Sequence, residues 1–246
     1  MSSIKTKLHN FFYRNGFDSN RLLIKRKPNA DDTMKRDPFA DMQTKVKKSN
    51  PVIFDVGANV GHTIYALNQK FPGSTIHAFE PSPNTYQSLL HNTARYDNVK
   101  VWQNGVGSGR AVLPFKENTH SDMSSFLDPG EKCWGSVEKV TNVEIITLDS
   151  FAKEHNIEFI DILKCDTQGY EYEVFKGAEG LINEGKIGVI YFEIIFSDMY
   201  NNLTPFYETL RYLTERGFII ASFYDQHYRN NVLSWADVMF VKKSEG

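Results

Sequence analysis

The chain has 246 residues, 41% of them hydrophobic and 24% charged, with a formal net charge of −2. That length suits one large α/β domain or two small ones, and that composition excludes a disordered chain. The charge is uneven: residues 1–50 carry twelve Lys and Arg against five Asp and no Glu, a net of +7 that leaves −9 for the rest.

In chain order, residues 1–27 are expected to be partly helical, with Leu8, Phe11 and Phe12 on one face. The stretch KPNADDTMKRDP, with two prolines and three acids, is expected to be a loop. Residues 1–50 are therefore set apart as a basic extension, and residues 51–246 as the main domain. The extension could touch an anionic substrate, nucleic acid or a membrane surface, or be a solvated lysine-rich face. A lid, a homodimer arm and an acceptor clamp all stay open for it.

From residue 51 the pattern becomes regular. Apolar strand candidates fall at about 52–56, 75–79, 99–103, 143–147, 161–165, 188–194, 218–224 and 237–242. Helical patterns lie between most of them, such as Val60, Ile64, Leu67 and Phe71, then Tyr86, Leu89 and Leu90. Ser82 before Pro83 is a helix start, an N-cap followed by proline at the first helical position. Gly107 and Gly109 suggest a hairpin turn before a short extra strand. No apolar run reaches membrane-spanning length, and no signal peptide is evident. Cys133 and Cys165 have neither metal-site nor disulfide spacing, so a reducing, cytoplasmic setting is expected.

Strands alternating with helices imply a mostly parallel sheet with helices on both faces, whose ligands sit beyond the carboxyl ends of the strands. Those ends carry acids: Asp55, Glu80, Asp166 and Glu193. The first strand runs into the turn DVGANVG, which lacks the lysine of a phosphate loop and the G-x-G-x-x-G spacing of a dinucleotide site. A pyrophosphate would also meet Asp55 and Glu80, like charges at close range. A ligand with a cationic part and hydroxyls fits better, and S-adenosylmethionine has that form. Gly57 and Gly61 would let the backbone approach its amino-acid end, and Asn59 would take the left-handed conformation. Asp55 would lie near its ammonium, and Glu80, followed by Pro81, would accept both ribose hydroxyls. The turn of Asn104, Gly105 and Val106 would border the adenine.

The segments IFDVGANVGHT, IHAFEPSPNTYQSLLHN, VTNVEIITLDSF, ILKCDTQGYEYEVFKGAEGLI and VIYFEI, in that order and spacing, resemble the FkbM-type family of S-adenosylmethionine-dependent methyltransferases. The resemblance covers roughly residues 51–195, and DPFADMQ resembles a segment that often precedes the first strand. It implies a seven-stranded, Rossmann-like class I methyltransferase sheet and O-methylation, often of sugars, glycans or secondary metabolites. It also implies a role near the cofactor or acceptor for the pair Ser124 and Ser125.

Methyl transfer asks the protein to align acceptor and methyl group, and to take a proton when the acceptor is a hydroxyl. Asp166 follows the fourth core strand and is the first acceptor-side candidate, as general base, metal ligand or orienting acceptor. Gln168, Tyr170 and Glu171 follow it, with Glu171 open to a plain first-turn helix role. Glu193 is the second candidate. Together Asp166 and Glu193 raise a Mg2+ or Ca2+ site. His62 beside the glycine turn, His120 on a polar loop and His227 in the loop FYDQHYRNN are further candidates, each open to being an exposed histidine. Aromatic and polar groups around His227 suit carbohydrate. Trp102 and Trp134 are expected in core or loop packing, and Cys165 in a strand.

The expected acceptor is thus a hydroxyl of a sugar, glycan or glycosylated small molecule. Nucleic-acid or protein methylation rests only on the basic extension, and DTQG stands where amino-group methylation would want Asn-Pro-Pro-Tyr. A non-catalytic nucleoside-binding module with the same fold is the alternative of another class. A nicotinamide dehydrogenase is disfavoured by the glycine spacing.

Overall fold

The computed structural model describes residues 36–243. The helix expected around Leu8, Phe11 and Phe12 lies outside the described residues. A compact unit begins at Asp37. Asp37 caps helix α1 (Pro38–Lys45) by accepting from the N–H groups of Phe39 and Ala40, with Pro38 at the first helical position. Met42 on this helix is fully buried, and Asp41 accepts from the Tyr224 hydroxyl at 2.7 Å. Residues 37–50 therefore join the main domain rather than the basic extension, because this helix covers part of the core.

The chain then alternates β1 (Val52–Val56), α2 (His62–Lys70), β2 (Thr75–Phe79), α3 (Pro83–Thr93) and β3 (Val99–Trp102). Ser82 caps α3 as its sequence demands, accepting from the Thr85 N–H. β4 (Gly105–Val106), β5 (Ala111–Asn118) and β6 (Val137–Ile146) follow, then α4 (Leu148–Glu154) and β7 (Ile160–Cys165). The chain ends through α5 (Glu171–Lys176), α6 (Glu179–Asn183), β8 (Ile187–Ile195), α7 (Phe206–Glu215), β9 (Phe218–Arg229) and β10 (Val232–Lys242).

The central sheet has seven strands in the order β3-β2-β1-β7-β8-β10-β9. All its pairs are parallel except β10, which runs antiparallel to both neighbours. This is the class I methyltransferase topology. Successive strand residues face opposite sides, so Ile53, Ile162, Val189 and Met239 enter one core with α1, α2 and α3. Phe54, Leu163, Ile190 and Phe240 enter the other with α4 to α7. The strand expected at 143–147 is not in this sheet. It is the end of β6, which pairs with β4 and β5 in a separate three-stranded sheet. β9 and β10 also run well past the expected strand bounds and form one long hairpin. The residues around His227 are therefore strand, not loop. No helix among the described residues is long and apolar enough to cross a membrane.

Candidate active site

The carboxyl ends of β1, β2, β7 and β8 open on one cavity of about 260 Å³. Part of its lining is Gly57, Asn59, Glu80, Pro81, Asn104, Gly105 and Val106. The rest includes Asp166, Thr167, Gln168, Glu193 and Ser124, with Met123, Met199, Trp134 and Trp235. Three strand-end acids therefore share one space, and among the described residues no Lys or Arg is in its wall.

The fourth acid is elsewhere. Asp55 is fully buried and does not line the cavity. The parallel register of β1 and β7 sets it beside Lys164, whose Nζ lies 2.9 Å from its Oδ1. Burial pushes the Asp55 carboxyl up against the pull of Lys164. Burial also works against the Lys164 ammonium, but Asp55 and Asp166 hold its pKa above the ordinary value. The two form a charged pair under the glycine turn, where Lys164 also donates to the Gly57 carbonyl at 3.0 Å. Asp55 is thus a support of the turn, not a wall of the cavity.

The glycines are also required by packing. Gly57 has φ +75, and a Cβ there would lie 1.9 Å from the Asp166 carbonyl oxygen. Its N–H and that of Ala58 both donate to Phe79 O at 3.0 Å. Gly61 begins α2 at φ +93 against Leu89, outside the cavity wall. Asn59 is left-handed, at φ 47, as expected. Its N–H donates to Glu80 Oε2, and the Ser82 N–H to Glu80 Oε1, both at 2.9 Å. Glu80 is thereby locked in place with one backbone donor on each oxygen.

Gln168 organises the other acids. It sits at φ 54, and its Nε2 donates to Asp166 Oδ1 at 3.0 Å and to Glu193 Oε2 at 2.9 Å. The Tyr200 hydroxyl donates to its Oε1 at 2.8 Å, and its carbonyl accepts from the buried Ser125 hydroxyl at 2.7 Å. Glu171, buried at the start of α5, accepts from Thr167 N, Thr167 Oγ1 and Gly169 N. Burial and the charges of Asp166, Glu171 and Asp237 push the Glu193 carboxyl well up. The metal expected between Asp166 and Glu193 meets a difficulty: the donor nitrogen of Gln168 occupies the shared position. Among the described residues no three His, Cys, Asp or Glu side chains gather as ligands.

The remaining candidates lie off the cavity. Tyr170 packs on Phe126, with ring centroids 5.1 Å apart. His62 and His120 are exposed. His227 is exposed too, but its ring stacks on Trp235 at 4.5 Å and 12°. Trp102 stacks on His77 in the core, as expected, whereas Trp134 lines the cavity and corrects the packing expectation. Lys164, Trp134, Trp235 and Met199 were not read from the sequence as functional. A lysine inside the apolar run DILKC was the one available signal, since a buried cation demands an acid beside it.

These burials make stability depend on pH. Burial pushes the carboxyls of Glu80, Glu171 and Asp237 each up to about 7, against the hydrogen bonds they accept. Each binds its proton more tightly folded than unfolded, where carboxyls titrate near 4. Their contribution is full below that unfolded value and is lost as pH rises through about 7, roughly 1 kcal/mol per group between pH 6 and 8. His77 acts oppositely: burial pushes it down to about 4, so its contribution is lost as pH falls below about 6.5. The ligand-free protein is expected to melt several degrees higher at pH 6 than at pH 8. A flat or reversed profile by calorimetry contradicts the buried acids.

A family model described as the Methyltransferase FkbM domain matches residues 55–220. The Methyltransferase sdnD of Sordaria araneosa is 33% identical over 160 residues, 53% of this chain and 61% of that protein. The 2-O-methyltransferase NoeI of Sinorhizobium fredii is 25% identical over 171 residues, 65% of this chain and 70% of that protein. A solved rRNA methylase of Streptococcus thermophilus has the same fold at 12% identity, with a TM-score of 0.50, covering 86% of this chain and 100% of that one.

Proposed function

Since the chain belongs to the FkbM methyltransferase family, we propose that it is an S-adenosylmethionine-dependent O-methyltransferase acting on a hydroxyl of a sugar, glycan or glycosylated small molecule. The observation that carries this reading is one cavity whose wall holds Glu80, Asp166, Trp134 and Trp235 together. Glu80 fits a ribose: each oxygen receives one backbone N–H and keeps lone pairs for the diol. Asn104, Gly105 and Val106 would border the base, and Gly57 and Asn59 the amino-acid end. A wall that holds Glu80 and Asp166 and, among the described residues, no Lys or Arg suits a cationic ligand. When bound, S-adenosylmethionine supplies an already activated methyl group, which leaves orientation and proton removal to the protein.

Asp166 and Glu193 divide the remaining work. The side chain of Asp166 is 45% exposed and faces the cavity, so it is the base for the acceptor proton. Glu193, whose burial favours its neutral form, holds a proton and a place in the wall. Gln168 keeps the two carboxyls at a fixed separation. Trp134, Trp235 and Met199 offer flat apolar surface to a sugar ring. The test is transfer of labelled methyl groups to a panel of saccharides, glycosylated small molecules, proteins and RNA. Label in the saccharide or glycoside fraction is expected. Label confined to RNA or protein overturns the acceptor assignment.

A further inference from the structure

Resting on the saccharide reading above, we propose that the cleft beyond the Trp134 and Trp235 pair is a second acceptor subsite, holding an oxyanion group on the unit next to the methylated sugar. β9 and β10 are joined by Asn230 and Asn231, both at positive φ (49 and 62), a tight turn that brings Arg229 back over the cavity rim. His227 and Arg229 lie two residues apart on one face of β9, above Trp235. The Arg229 guanidinium carbon is 4.5 Å from the Trp134 ring centroid and 5.4 Å from that of Trp235. The same two rings wall the methyl-transfer cavity.

Arg229 also lines a separate cleft of about 350 Å³ with Lys132, Ser197, Asn230, Val232 and Ser234. Among the described residues Arg229 forms no ion pair. The one hydrogen bond of its guanidinium among these residues, from Nη1 to the Lys132 carbonyl at 3.1 Å, uses one of five donors. Lys132 is already within 3.3 Å of Asp198, so among the described residues Arg229 carries the unmatched positive charge of the cleft. Its fork of donors suits a carboxylate or phosphate oxygen pair. Ser197 and Ser234, whose hydroxyls are 2.8 Å apart, add hydroxyl groups to the cleft. An acceptor seated with one sugar beside Asp166 and its neighbour across the tryptophans would set the neighbour's charged group against Arg229.

The test uses the full chain loaded with S-adenosylhomocysteine. It is titrated with a glucuronate-containing disaccharide, with a phosphorylated disaccharide and with neutral cellobiose, followed by calorimetry and tryptophan emission. At least one anionic sugar is expected to bind about tenfold or more tightly than cellobiose. The advantage is expected to shrink with added salt and to vanish in Arg229→Gln. Arg229→Lys retains the charge without the fork and keeps part of it. The preferred anion tells a carboxylate source from a phosphate. Equal binding of neutral and charged sugars, no anionic binding up to about 10 mM, or a preference that survives Arg229→Gln overturns the subsite. Loss of S-adenosylhomocysteine binding in the unaltered protein strikes the methyltransferase reading instead.

Discussion

Replacing Lys164 by methionine is expected to lower the free energy of unfolding by about 3–5 kcal/mol, because it strands a buried carboxylate. Lys164 and Asp55 are 6% and 0% exposed at the side chain and 2.9 Å apart. Methionine matches the stem of lysine in length, so the loss is chiefly electrostatic. The carbonyl of Gly57 also loses its donor, which loosens the turn that leads to Asn59 and Glu80. Urea denaturation reads the effect directly. The double variant Asp55→Leu, Lys164→Met removes both charges and is expected to regain much of the loss, as buried pairs replaced by apolar groups often do. A single-variant loss below about 1 kcal/mol would mean the pair is solvated, and the account of the turn would fall.

The second large effect is chemical. In Asp166→Asn, the turnover number is expected to fall by about 10² to 10⁴ with the saccharide acceptor, the usual weight of a positioned general base. The substitution keeps shape, and an asparagine oxygen can still accept from Gln168 Nε2, so the pocket should persist. Affinity for S-adenosylhomocysteine is expected to change by less than about threefold, which separates a chemical role from a binding one. In this variant burial and the charges of Glu171 and Asp237 still push the Glu193 carboxyl up, which disfavours its charged form as a substitute base. Turnover within about threefold of the parent protein would transfer the role elsewhere, with Glu193 as the next candidate.

Much of the cavity was legible because strand ends are legible. Apolar runs that stop at an acid placed Glu80, Asp166 and Glu193 at one sheet edge, and the cap Ser82-Pro83 fixed the loop between β2 and α3. Asn59 could be assigned its left-handed backbone because few residues tolerate it. Asp55 looked the same as the other acids in sequence, yet its role depends on which residue the neighbouring strand sets beside it. That is a matter of register between segments more than a hundred residues apart, and no local pattern carries it. Gly57 likewise looked like clearance for a ligand, whereas the obstacle to a side chain is the carbonyl of Asp166.

The acceptor side was less legible. Trp134 and Trp235 are 101 positions apart, and their meeting depends on β10 running antiparallel beside β8. The Asn230-Asn231 turn was a usable hairpin signal, since both residues adopt positive φ with comparatively little strain. Reading it would have placed His227 on a strand and Arg229 at a rim. The buried hydroxyl of Ser125 fixes the backbone of Gln168 from 43 positions away, a second-tier role that residue type alone does not announce.

The most direct test of the account is calorimetric titration of the protein and of Glu80→Gln with S-adenosylhomocysteine and with NAD. The unaltered protein is expected to bind S-adenosylhomocysteine and not NAD. At pH 8, above the value of about 7 to which burial raises Glu80, Glu80→Gln is expected to bind it about ten- to a hundredfold more weakly, since a charged acceptor of two hydroxyls becomes a neutral one. Binding of NAD in place of S-adenosylhomocysteine, or undiminished affinity in Glu80→Gln, would contradict the seat at the end of β2.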